Sequence, residues 1–242
     1  MPRYQYAIVV GASSGIGAEI AKQLAAEGTL VAAVARRIDR LESLASTFEG
    51  KILPVEHDVK NFDAVPDLFQ QVTQRLGGLD LVVYAAGVMP EVGWHEYCFQ
   101  KDRDLVEVNL LGAIAWLNEA ANRFENTKHG TILAIGSVAG DRGRGGQPVY
   151  NATKAALATY MEALRNRIGR YGVKVVLVKP GPTQTEMTES LHLKDAMSAS
   201  TAARLILAKS ESGGEHYLKF THRIAFAIIR AIPSWLFQKL KI

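Results

Sequence analysis

Cysteine is almost absent from this chain, with Cys98 the only one. That excludes an intrachain disulfide and a cysteine-built zinc site, and it fits a reducing compartment such as the cytoplasm. Histidine is sparse and scattered. His57, His95, His129, His192, His216 and His222 include no His-x-x-x-His pair, so no structural metal is expected. No run of ~18 uncharged apolar residues is present, which argues against a spanning helix. The opening residues lack a basic segment followed by a long apolar core, so no secretory signal is expected. Acidic residues are missing from residues 217–242, which hold Lys219, Arg223, Arg230, Lys239 and Lys241. The overall charge of +4 therefore splits into +5 for this tail and −1 for everything before it. A nucleic-acid footprint on the body is excluded on that ground, and no nucleic-acid partner is expected.

What is present is an alternating pattern. With 48% hydrophobic and 21% charged residues, the 242-residue chain has the composition of a folded globular protein. Short apolar runs at 6–10, 30–35, 52–56, 79–84, 131–135 and 173–178 read as buried strands. Helical patterns lie between them, at about 15–27, 38–48, 62–76, 96–125 and 148–170. Strand–helix alternation means a parallel sheet covered on both faces. No linker or repeat interrupts it, so residues 1–242 read as one α/β domain. A seventh strand is expected near 215–220. Residues 182–212 carry no strand pattern, have a helical run near 200–209, and read as a lid over the strand ends or as surface helices.

The first strand runs into Gly11-Ala12-Ser13-Ser14-Gly15-Ile16-Gly17, and a helix pattern follows at once. Gly11 permits the tight turn, Gly15 lets backbone approach a pyrophosphate, and Gly17 allows helix and strand to pack closely. The free N–H groups at the helix start then face the anion, with Ser13, Ser14 and Ile16 in the same turn. Strand two ends in Arg36-Arg37, where an NAD-binding chain would hold an acid against the ribose 2′-hydroxyl. A guanidinium accepts a 2′-phosphate in bidentate fashion, so NADP(H) is expected over NAD(H). Asp58, with Val59 after strand three, accepts from an adenine amino group or caps a turn.

Tyr150 and Lys154 stand four residues apart at the start of an alanine-rich helix, on one helical face. An ammonium beside a phenol favours the phenolate, and a tyrosine so tuned can exchange a proton with a carbonyl or alcohol oxygen. Ser137 lies just past strand five, at the carboxyl end of the strand, where such folds keep their ligand. Asn109 is a lone polar side chain in an apolar helix, either a satisfied core amide or a functional group.

Together, Gly11-x3-Gly15-x-Gly17, Asn109, Ser137, Tyr150-x3-Lys154 and Pro180-Gly181-Pro182-Thr183-Gln184-Thr185 resemble the short-chain dehydrogenase/reductase family over about residues 5–210. The resemblance implies a Rossmann-type, doubly wound sheet of about seven parallel strands and a nicotinamide cofactor. It implies Tyr150 as general acid/base, Lys154 as the group that tunes it and holds the nicotinamide ribose, and Ser137 as the carbonyl's partner. Asn109 would hold a water that links Lys154 to solvent. Ala86, Gly87, Pro180, Gly181, Thr183 and Thr185 would shape the nicotinamide pocket. The expected function is hydride transfer between NADP(H) and a carbonyl or alcohol on a small hydrophobic substrate. A cofactor-binding scaffold without turnover is the competing reading. Homodimers or homotetramers are implied as well.

Two positions depart from the family pattern. Val10 stands where a threonine is usual, and Tyr84-Ala85 where Asn-Asn is usual; an apolar contact between Val10 and Ala85 is expected to replace a polar one. The expected substrate walls are Val88-Met89-Pro90, Trp94, Val138-Ala139, Gln147 and 182–200. Arg142 and Arg144 are solvated loop charges or a grip for a carboxylate or phosphate. In the tail, the apolar run 224–229, Pro233, and Trp235, Leu236, Phe237 and Leu240 among lysines read as a helix docked on the body or as a peripheral membrane contact.

Overall fold

The computed structural model describes residues 2–191 and 195–240; residues 192–194 of the expected lid and 241–242 of the tail lie outside the described part. Seven strands form one parallel sheet: β1 (Tyr6–Val10), β2 (Leu30–Ala35), β3 (Ile52–Glu56), β4 (Leu81–Tyr84), β5 (Thr131–Ile135), β6 (Lys174–Lys179) and β7 (Gly214–Tyr217). Their order across the sheet is β3-β2-β1-β4-β5-β6-β7. The chain leaves β1 in one direction and crosses to its other side at β4, so the two halves part at the carboxyl ends of β1 and β4. Doubly wound sheets open a ligand crevice at such a switch point.

Helices cover both faces. On one lie α3 (Val65–Leu76), α5 (Gly112–Thr127) and α6 (Pro148–Ile168), packed on alternate strand residues such as Ile8, Val10, Val82 and Tyr84. On the other lie α1 (Gly15–Ala26), α2 (Ile38–Thr47) and α7 (Ala199–Lys209), packed on Ala7, Val9, Leu81 and Val83. Because both faces are buried, the strands read as continuous Val/Ile/Ala/Leu runs instead of alternating ones.

Several expectations need correction. The 96–125 helix starts at Phe99 as α4 (Phe99–Val106) and passes through a wide π turn (Glu107–Leu111) into α5. Strand four starts at Leu81; Asp80 instead accepts from the N–H groups of Gln5 and Tyr6. The seventh strand ends at Tyr217, because Phe220 begins helix α8 (Phe220–Ala231), which a short α9 (Ser234–Phe237) follows. Within 182–212, Thr183–Gln184 and Met197–Ser198 do form a short parallel pair. Two residues each are too few to leave a strand pattern in the sequence.

The Val10–Ala85 side-chain contact is not formed. Val10 is paired in register with Tyr84 and packs on the α5 face, while Ala85 packs on the α1 face. What joins the strand ends is backbone: the Ala85 N–H donates to the Val10 carbonyl at 2.8 Å.

Candidate active site

The crevice at the switch point is a cavity of about 580 Å³. Gly11, Ser13, Ser14, Gly15, Ile16 and Gly17 form its floor on one side, and Arg36 and Arg37 close that end. Gly11 turns the chain with φ +90°, and a Cβ there would lie 2.4 Å from the Ala86 nitrogen. A Cβ on Gly17 would lie 2.2 Å from the Gly11 carbonyl oxygen. Neither position tolerates a side chain, so the strand-to-helix turn is as tight as the glycine spacing implies. The first N–H groups of α1 have no partner within the helix and point toward the turn.

Arg37 lies across this cradle. Its Nη2 donates to Ser14 Oγ at 2.7 Å and to Ser13 Oγ at 3.0 Å, and its Nη1 donates to Glu186 Oε2 at 2.9 Å. Arg40 donates to the other oxygen of the same carboxylate. Two guanidiniums hold the Glu186 carboxyl down at a pKa of about 2, through hydrogen bonds first and charge second. Glu186 thus lies where an anion meets the Arg37 end of the cavity.

At the other end stand Ser137, Tyr150 and Lys154, with Ala86, Gly87, Val59, Pro180, Gly181, Thr183 and Thr185 between the two ends. Ser137 follows β5, and its hydroxyl accepts from the Ala139 N–H at 3.0 Å, which starts a 3-10 turn (Val138–Asp141). That turn is anchored from below by a buried ion pair. Lys179 Nζ lies 2.7 Å from Asp141 Oδ1 and 2.8 Å from Glu215, and the Tyr217 hydroxyl donates to Asp141 at 2.8 Å.

Tyr150 is on the first turn of α6, after Pro148 at its start. Burial raises its pKa; the adjacent Ser137 hydroxyl and then the Arg144 guanidinium pull it back down. The Lys154 ammonium lies 5.8 Å from the Tyr150 ring centre and donates to the Ile135 carbonyl at 3.0 Å. It is fully enclosed, and loss of hydration lowers its pKa to about 8.

Of the site residues expected from sequence, Asn109 and Asp58 do not line the cavity. Asn109 is fully buried in the π turn, where it accepts from the Val88 N–H at 2.8 Å and donates to the Val88 carbonyl at 2.9 Å. It fixes the backbone just past Gly87. The Asp58 carboxylate accepts from the Lys60 N–H at 3.0 Å, as a turn cap would, while His57 and Val59 on either side reach the cavity. Pro90, Trp94 and Gln147 are also absent from the lining. Gln147 instead donates to the Pro90 carbonyl at 3.1 Å.

The substrate end is walled by Val88, Met89, Val138, Ala139, Met187, Leu191 and Phe226, with Arg144 the cation among them. Phe226 was not evident from sequence: it comes from α8, in the tail. His222 on the same helix packs so closely that a Cβ on Gly181 would lie 2.1 Å from its ring. Arg142 is taken up by the tail. Its guanidinium donates to the carbonyls of Ile229, Arg230 and Ile232 at 3.2, 3.0 and 2.8 Å and stacks on Phe237. It therefore caps α8 and does not grip a small anion.

The short chain dehydrogenase family model matches residues 5–196. The chain belongs to the short-chain dehydrogenase/reductase family. An oxidoreductase of Myxococcus xanthus is 36% identical over 242 residues, spanning 97% of this chain and 95% of its own. A solved short chain dehydrogenase/reductase family protein is 29% identical, with a TM-score of 0.81 over 90% of this chain and 97% of that one. A short chain dehydrogenase from Burkholderia cenocepacia, solved in complex with NADP, has the same fold with a TM-score of 0.85. It is 24% identical and covers 99% of this chain and 98% of that one. The protein is thus a family oxidoreductase on a Rossmann-type α/β fold, and the crevice between β1 and β4 is this dehydrogenase/reductase's candidate active site.

Proposed function

We propose that the protein is an NADPH-dependent carbonyl reductase for a small apolar aldehyde or ketone, with Tyr150 as the proton donor. The observation that carries this reading is the single cavity joining an arginine-closed glycine cradle at one end to Ser137, Tyr150 and Lys154 at the other. The residues present fit a nicotinamide dinucleotide. Gly11 and Gly17 hold the strand-to-helix turn tight against Ala86 and against Gly11 itself, which aims the first N–H groups of α1 at the place where the phosphates would lie. Arg36 and Arg37 supply the charge a 2′-phosphate needs, and no carboxylate belongs to the lining at that end except through the Glu186 contact to Arg37. Gly11 to Gly17 would hold the phosphates, Val59, Ala86 and Gly87 the middle, and Pro180, Gly181, Thr183 and Thr185 the nicotinamide. When bound, the cofactor supplies the hydride.

The chain's own groups do the rest. Ser137 holds the substrate carbonyl oxygen within reach of the Tyr150 hydroxyl. Tyr150 gives its proton to that oxygen as negative charge develops there. Lys154 holds a positive charge against the phenolate left behind and the cofactor ribose, while Asn109 holds the Val88 backbone beside Gly87 in place. The apolar walls exclude water around the carbonyl.

In the same reading the body resides in the cytoplasm, assembles as a homodimer or homotetramer through α5 and α6, and touches a membrane peripherally through 221–242. Among the described residues, no helix is long and apolar enough to cross one. The test is NADPH oxidation, followed at 340 nm, against a panel of aldehydes, ketones and diketones, with NADH in parallel. Turnover with NADPH at least tenfold above that with NADH supports the reading. NADPH binding without turnover of any carbonyl favours a scaffold and overturns it.

A further inference from the structure

Helix α8 has three distinct sides. His222, Phe226 and Ile229 recur every three or four residues and face the body, where they meet Gly181, the substrate cavity and Arg142. Phe220, Ile224 and Ile228 recur at the same spacing on the opposite side, and all are exposed, Phe220 at 72% and Ile228 at 61%. Trp235, at 66%, with Leu236 and Leu240, prolongs the apolar surface beyond Pro233. Lys219, Arg223 and Arg230 fall between the two sides, at about a third of a turn from the centre of the exposed stripe. Arg223 and Arg230 line a surface groove with Lys209, His216 and Glu215, beside β7.

We propose that this exposed face seats the protein on an anionic membrane surface, with α8 lying flat in the headgroup layer. An apolar stripe with cations along one flank, Trp at one end and no acid anywhere in 217–242 matches such a surface in both hydrophobicity and charge. A second copy of the chain is a poor occupant, because two such faces would bring Lys219, Arg223, Arg230 and Lys239 against their equivalents with no carboxylate from either tail between them. The docked side also gives the contact a use, which rests on the reductase reading. Phe226 and Leu191 wall the substrate end of the cavity. A helix that lies in the bilayer surface while its other side roofs the active site holds that site next to the layer in which apolar carbonyl compounds dissolve.

The test is co-flotation of the full chain with vesicles of phosphatidylcholine alone and of phosphatidylcholine with phosphatidylglycerol. Two double variants accompany wild type: Ile224→Ser with Ile228→Ser, and Arg223→Gln with Arg230→Gln. All four positions are exposed, and unchanged melting temperatures verify that the variants fold. Wild type is expected to float with the anionic vesicles and not with neutral ones. The arginine variant should bind roughly 25-fold more weakly, at about fivefold for each of the two cations lost, and the isoleucine variant should remain at the bottom. Wild type that fails to float with anionic vesicles overturns the proposal. So does an isoleucine variant that floats like wild type, or one that changes the oligomeric mass in solution while vesicles bind neither protein. None of these readings uses turnover, so an inactive protein that floats sinks the reductase reading alone.

Discussion

The Tyr84 hydroxyl donates to the Val108 carbonyl at 2.6 Å, tying the end of β4 to the π turn that carries Asn109. A π turn leaves a carbonyl without its usual helical partner, and a side-chain donor from the next layer satisfies it. The same hydroxyl lies 2.7 Å from where a Cβ on Gly112 would stand, so the glycine that opens α5 is required by the tyrosine. Tyr84→Phe should cost about 1–3 kcal/mol by leaving a buried carbonyl unpaired, and Gly112→Ala a similar amount by crowding. In the double variant the missing oxygen makes room for the new methyl. Denaturant unfolding should therefore show a combined loss well below the sum, whereas strict additivity would mean the two residues are not coupled.

Lys154 is held in the site at a cost to the fold. Its pKa falls from 10.5 to about 8 on burial, so above pH 8 the folded protein releases a proton that the unfolded chain keeps until about 10.5. The penalty is fully present below pH 8 and fades as pH rises through that window. It corresponds to roughly 3 kcal/mol. Lys154→Met is expected to raise stability at pH 7 by about 2 kcal/mol while removing activity, with the stability gain shrinking toward pH 10. A Met variant less stable than wild type at pH 7 would contradict this.

Glu186 competes for Arg37. Its carboxylate bridges Arg37 and Arg40 on an exposed surface, so the pair is worth little to stability. It still occupies the guanidinium that a 2′-phosphate would use. Glu186→Gln should tighten NADPH binding by about three- to tenfold and leave NADH binding nearly unchanged, as read by quenching of protein fluorescence. Equal effects on both cofactors would rule out competition at the 2′ position.

After the Ser137 hydroxyl, the Arg144 guanidinium is the group that eases Tyr150 ionisation in this structure. Arg144→Gln should therefore raise the Tyr150 pKa. Alcohol oxidation needs the phenolate and increases as pH rises through that pKa, so its midpoint should move to higher pH in the variant. Carbonyl reduction needs the phenol, so its alkaline loss should move the same way. Arg144→Lys should restore both profiles. Unshifted pH–rate profiles would show that Arg144 acts elsewhere.

Much of this site was legible before the structure because it is built from local signals. The bounds of β1, β2, β3 and β5 follow from apolar runs ended by turn residues, and the glycine cradle, Ser137, Tyr150 and Lys154 stand at strand ends and helix starts that those runs locate. What was not legible depends on packing between distant segments. Phe226 reaches the cavity, and His222 reaches Gly181 beside it, from a tail whose docking partner, Arg142, lies some ninety residues earlier and read as a solvated loop charge or an anion grip. The Val10–Ala85 pairing failed because adjacent strand residues alternate faces, and register placed Tyr84, not Ala85, beside Val10. Lys154 was expected beside the Tyr150 hydroxyl, and the structure places its ammonium on the Ile135 carbonyl.

Proton donation by Tyr150 is decided by a comparison of two proteins. Wild type and Tyr150→Phe are assayed side by side for NADPH binding and for reduction of the best carbonyl substrate found. The phenyl ring keeps the packing of α6 and loses only the proton that the carbonyl oxygen needs. Tyr150→Phe should bind NADPH within about threefold of wild type and turn over roughly a thousandfold more slowly. A variant that binds NADPH normally and turns over within tenfold of wild type would contradict proton donation by Tyr150.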